Sequence, residues 1–188
     1  QRPTEADRSG SPASLVRWNE LGRMGRRFIS TGPTAEEISA FTGKTALRPL
    51  RAYVGLPAAD TPAERAHLAL EELKRIGGFE RSVLVLITPT GTGWVDAGGI
   101  DSIEYLTHGD VAIVATQYSY LSSPLTMFVD PYTGRETARA LFREIYGYWR
   151  TLPRDKRPKL YLHGLSLGAL NSEWSFEFFE LMGDPIDG

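Results

Sequence analysis

Two rhythms of hydrophobic and polar positions alternate along the chain. Residues 83–87 (Val-Leu-Val-Leu-Ile) and 111–115 (Val-Ala-Ile-Val-Ala) are unbroken apolar runs of strand length. Such runs mark strands buried on both faces of a parallel sheet. Residues 160–163 (Leu-Tyr-Leu-His) read as a further strand and residues 50–55 as an earlier one. Between them the apolar period lengthens to three and four. Thr61-Pro62-Ala63-Glu64 is a capping box with proline at the first helical position; it opens a helix that runs to Ile76, turns Ala66, Leu70 and Leu73 inward, and stops at Gly77-Gly78. Ala138, Leu141, Phe142, Ile145, Tyr146 and Trp149 define a second long helix, closed by Pro153 and Pro158. Shorter helices are expected between Thr34, which caps toward Glu37, and Gly43, and around residues 100–106.

Strand, helix, strand, helix, strand in this order predicts an α/β fold with a parallel sheet and right-handed crossovers. In such sheets ligands bind beyond the carboxyl ends of the strands. Ahead of this pattern, residues 15–29 mix arginine with Trp18, Leu21, Met24 and Phe28 and read as an irregular helix or an arm lying on the domain. Residues 1–14 are rich in Pro, Ser, Gly and charge and read as a linker, loose or draped, ahead of one domain over residues 15–188.

Composition narrows the function. The chain has 188 residues with 41% hydrophobic and 23% charged, and its 21 basic against 23 acidic side chains leave a net charge of −2. No global field draws in phosphate backbones, so nucleic acid is not an expected partner. The absence of cysteine removes thiol catalysis, thiolate metal sites and CxxC redox chemistry. The longest apolar runs fall far short of the ~20 residues that a membrane span needs, so this stretch reads as soluble in itself. Gly43-Lys44-Thr45 imitates the end of a phosphate-binding loop, but Ile38 stands where its first glycine belongs; Gly91-Thr92-Gly93 begins a dinucleotide fingerprint, but Asp96 takes the third glycine's place. No HxxxH or HExxH spacing occurs, so neither metal nor cofactor is expected.

The chemistry concentrates at Gly164-Leu165-Ser166-Leu167-Gly168, directly after the strand at 160–163 and before a run toward Phe178, Phe179 and Leu181 that can be helical. GxSxG in a strand-to-helix turn is a nucleophile elbow: the strained turn exposes the serine hydroxyl, and the glycines admit close backbone neighbours. Ser166 is therefore the candidate nucleophile, and the N–H of Leu167, at a helix start, is aimed where an oxyanion would form. A second oxyanion donor is expected from the loop Thr90-Gly91-Thr92-Gly93-Trp94, at Gly91 or Thr92. Trp94, Gln117 and Tyr118 lie at the same expected rim and are candidates to line a substrate pocket; Trp94 and Tyr118 read equally well as packing.

The stretches RFISTGPTAEEISAFTG, TPTGTGWVD, EYLTHGDVAIVATQYSYL, YWRTLP and RPKLYLHGLSLGAL together resemble a bacterial α/β-hydrolase family whose members carry membrane helices ahead of the catalytic domain. The resemblance covers about residues 17–188. It implies an α/β-hydrolase-like three-layer sandwich with a mostly parallel sheet, a Ser nucleophile at Ser166, an acid and a His supplied further on, and association with a cell membrane through a segment outside this stretch. It does not imply a substrate. Many relatives have Glu where this chain has Leu165, a change that bears on local packing or pocket polarity.

A hydrolase of this class places its acid and its His after the serine, in that order. All three histidines, His67, His108 and His163, precede Ser166. The chain is therefore expected to lack the C-terminal strands of the domain, whose remainder would be its partner, and to have little activity by itself. Two functions follow. One is a serine hydrolase of esterase or lipase type, acting on a small ester, thioester or lipid-like substrate, with acyl transfer where an alcohol replaces water. The alternative is a catalytically inert hydrolase-like binding module.

Overall fold

The computed structural model describes residues 1–121, 132–173 and 184–188. Helices α1 (Gly22–Ser30) and α2 (Ala35–Thr42) precede strand β1 (Leu50–Val54), helix α3 (Pro62–Arg75) and strand β2 (Val83–Thr88). Helix α4 (Ala97–Leu106), strand β3 (Val111–Thr116), helix α5 (Thr133–Thr151), strand β4 (Lys159–Gly164) and helix α6 (Leu167–Glu173) complete the described elements. Both expected capping boxes are formed: the side chains of Thr34 and Thr61 accept from the N–H groups of Glu37 and Glu64, and those glutamates reach back to the cap N–H. Asp96 caps α4 through a 3.0 Å bond from the Gly99 N–H, which starts that helix three residues earlier than its apolar pattern indicated.

The sheet is parallel throughout, in the order β1-β3-β2-β4. The chain therefore leaves a gap between β1 and β2 that β3 later fills. Register partners share a face. Arg51, Ile113, Val85 and Tyr161, with Tyr53, Ala115, Ile87 and His163, face α1 and α4. Leu50, Ala112, Leu84 and Leu160, with the residues two further along each strand, face α3 and α5, which pack on one another. The result is a three-layer α/β/α sandwich in which β2 and β3 are buried along almost their whole length, as their unbroken apolar runs require.

Two polar anchors join the layers. Arg51 of β1 makes a forked pair with Glu104 of α4, Nε and Nη2 each at 2.6 Å, and also donates to Asp101 and to the carbonyl of Phe28. Glu72 of α3, fully buried, accepts from Ser9 Oγ at 2.9 Å, Ser14 Oγ at 2.7 Å, the Leu15 N–H at 3.0 Å and the Arg75 guanidinium. This carboxylate fastens residues 1–16 onto the domain, and within that segment Ser9, Ser11 and Val16 are buried. At the other end of the described chain, the Asp187 N–H donates to Leu160 O and Gly188 O accepts from the Leu162 N–H, so both residues run along the outer edge of β4. The run through Phe178, Phe179 and Leu181 lies outside the described residues. Among the described residues no helix is long and apolar enough to cross a membrane.

Candidate active site

Strand β4 ends at Gly164, paired with Thr88 at the end of β2. Two residues later the chain reverses into α6, and Ser166 sits in that bend with φ +57° and an exposed side chain. A left-handed conformation is uncommon for a residue with a Cβ and costs about 1–2 kcal/mol. The flanking glycines show what imposes it. A Cβ on Gly164 would lie 2.4 Å from Gly168 O and 2.6 Å from Ala169 N, and one on Gly168 would lie 2.3 Å from Thr88 O. Strand end, bend and helix start are thus pressed together at backbone contact, and the serine between them is turned outward. The bend is closed by bonds from the Gly168 N–H to Leu165 O and from the Ala169 N–H to Ser166 O, both 3.0 Å. The Leu167 N–H, first in the helix, has no acceptor within α6.

Beside the bend, across the β4–β2 pairing, lies the loop that follows β2. The Thr90 N–H donates to Trp94 O at 3.0 Å and the Gly93 N–H to Thr90 O at 2.8 Å, closing residues 90–94 into a compact turn. Gly91 is buried and Thr92 half-buried, and their N–H groups take no partner among the described residues. Trp94 is half-buried and, with Met24, Phe28 and Val95, lines a cavity of about 100 Å³ next to the loop. Ser166, Leu167, Gly91, Thr92 and Trp94 therefore all stand at the carboxyl rim of neighbouring strands, the edge at which parallel sheets bind ligands.

Gln117 and Tyr118, just past β3, stand at the same rim but are enclosed, at 3% and 2% exposure. The Gln117 amide is taken up by backbone: Nε2 donates to Ser119 O at 2.8 Å and to Thr92 O at 3.3 Å, and Oε1 accepts from the Leu56 N–H at 3.3 Å. Burial pushes the Tyr118 phenol up to about 12, opposed by Asn171 of α6 beside it. Gly134 of α5 leaves the space for that pair, since a Cβ there would lie 2.3 Å from Asn171 Nδ2.

The histidines are dispersed. His67 is exposed on α3, 3.4 Å from Glu144 of α5. His108 lies at the amino rim, where its carbonyl accepts from the Leu47 N–H. His163 is in β4 close to Ser166 in sequence, but its ring lies on the α4 face against Gly99, and its Nε2 is buried with no partner among the described residues.

A parallel sheet whose fourth strand runs into a serine-bearing bend and a helix, with a glycine-threonine loop on the adjoining strand, defines an α/β-hydrolase-like fold. The chain belongs to the Alpha/beta-hydrolase family, which residues 50–188 match, while residues 1–33 match the Alpha/beta-hydrolase family N-terminus. The match starts ahead of the motifs that carry the resemblance in sequence and takes in the segment that Glu72 holds down. No curated protein and no solved structure matches the chain.

Proposed function

We propose that this chain carries the nucleophile and the oxyanion donors of a serine hydrolase that acts on an ester or thioester. Ser166 Oγ attacks the substrate carbonyl carbon while a histidine takes its proton, and the carbonyl π electrons move onto oxygen. That oxyanion is received by the N–H groups of Leu167 and of Gly91 or Thr92. Collapse re-forms the carbonyl and expels the alcohol or thiol, which leaves with the proton from the histidine. Water then attacks the acyl-serine to release the acid; an alcohol in its place gives acyl transfer. No cofactor is called for by these steps.

The observation that carries this reading is Ser166 itself, exposed in a left-handed bend at the rim where the N–H groups of Gly91 and Thr92 take no partner among the described residues. Because His67 and His108 lie elsewhere and the His163 ring is packed against α4, the proposed proton acceptor comes from outside residues 1–188. Treatment of the full-length protein with a fluorophosphonate probe tests the reading. Labelling that disappears in Ser166→Ala supports it; an intact protein that takes no label points to the inert binding module instead.

A further inference from the structure

The loop that would supply the second oxyanion donor is held by side chains from β1 and from the end of β3. Tyr53 of β1, fully buried, donates its hydroxyl to Gly93 O at 2.8 Å. Burial, with the Tyr120 phenol adding to it, raises the Tyr53 phenol far above its ordinary range, so it stays protonated and remains a donor. Gln117 donates to Thr92 O, and its own main chain is fixed by a 2.9 Å bond from its N–H to Val54 O. The orientation of the Gln117 amide is set by its partners, two carbonyls on the nitrogen side and one N–H on the oxygen side. Both braces come from β1 and β3, which lie on one side of β2, whereas Ser166 follows β4 on the other. Gly93, at φ +83°, makes the approach possible: a Cβ there would lie 2.4 Å from Tyr53 Oη and 3.0 Å from Gln117 Cγ.

We infer that Tyr53 and Gln117 are positioning residues of the active site: by holding the carbonyls of Gly93 and Thr92 from β1 and from the end of β3, they fix the turn of residues 90–94 and with it the main chain of Gly91 and Thr92, the proposed oxyanion donors. The inference rests on the serine hydrolase reading above. It gives Gln117 a task other than lining a pocket, because its amide is occupied by the loops. Peptide dipoles act on a developing charge only when held in place beforehand, so loosening this loop slows the chemical step without weakening substrate recognition.

The test compares Tyr53→Phe and Gln117→Met in the full-length protein. Tyr53→Phe removes only the hydroxyl; Gln117→Met keeps the length of the side chain and removes the amide. The maximal rate of fluorophosphonate inactivation should fall about tenfold in each, with the half-saturating probe concentration unchanged. Amide hydrogen exchange in residues 90–94 should quicken in both. Ile145→Val, a change at a fully buried residue of α5 that is part of neither brace, lowers stability and should leave inactivation and loop exchange unaltered. The inference is overturned if the braced variants match wild type in both readouts, or if Ile145→Val slows inactivation as much as they do. Absence of any labelling at Ser166 in wild type overturns the serine reading itself, and the catalytic meaning of the braces falls with it.

Discussion

Gly168 stands so close to the end of β2 that a Cβ on it would lie 2.3 Å from the carbonyl oxygen of Thr88. This contact presses the start of α6 onto the strand beside β4, and the bend that displays Ser166 depends on it. Gly168→Ala must therefore move backbone against backbone. It should cost about 1–3 kcal/mol of stability by urea unfolding. Fluorophosphonate labelling of the full-length variant should fall by about 100-fold, because the serine and the Leu167 N–H shift together.

The strain at Ser166 makes a second, opposite expectation. Its φ of +57° suits glycine better than any residue with a Cβ. Ser166→Gly should raise stability by about 1 kcal/mol over Ser166→Ala in chemical denaturation, while both abolish labelling. Equal stability of the two variants would mean that the bend is not held in the left-handed region.

Much of this frame was legible in sequence, because the signals were local. The capping boxes at Thr34 and Thr61, the apolar runs of β2 and β3 and the glycines about Ser166 each declare a conformation within a few residues. What escaped was set by partners far along the chain. Glu72 sits one residue before Leu73 on a helix whose apolar stripe reads clearly, and it is the distant Ser9, Ser14 and Leu15 that enclose it. Gln117 reads as a polar residue opening onto a rim, and its enclosure arises where three separate loops converge. The insertion of β3 between β1 and β2 has no mark in the patterns of β2 and β3, since residues 83–87 and 111–115 are both apolar throughout.

Acid should release the N-terminal segment before it unfolds the sheet. Burial raises the pKa of Glu72, but the Arg75 guanidinium, the Leu15 N–H and the Ser14 hydroxyl outweigh it and hold the carboxyl below its ordinary value of 4.5. A carboxylate depressed on folding contributes its full stability above its unfolded pKa, and that contribution is lost as the pH falls through the lower, folded value. Protection factors against hydrogen exchange in residues 1–16, taken relative to the intrinsic rate at each pH, should therefore fall selectively below pH 4.5, and in Glu72→Gln that onset should disappear.

The forked pair of Arg51 and Glu104 carries a different kind of risk. Both side chains are almost wholly enclosed, at 6% and 0% exposure, so removing one partner strands the other. Glu104→Ala should cost about 3–5 kcal/mol, whereas Asp101→Ala, half-exposed on the same helix, should cost under about 1 kcal/mol. Thermal unfolding of the two variants side by side checks the contrast.

The interleaved strand order has a consequence for when reactivity first arises. Ser166 and the loop after β2 become neighbours only when β4 docks on β2, and the braces from Tyr53 and Gln117 exist only once β3 has slotted between β1 and β2. Local segments of a growing or partly unfolded chain contain the hydroxyl but not its surroundings. On the proposed reading, labelling at Ser166 requires both the docking of β4 on β2 and the insertion of β3, so its recovery during refolding should trail the return of helical signal.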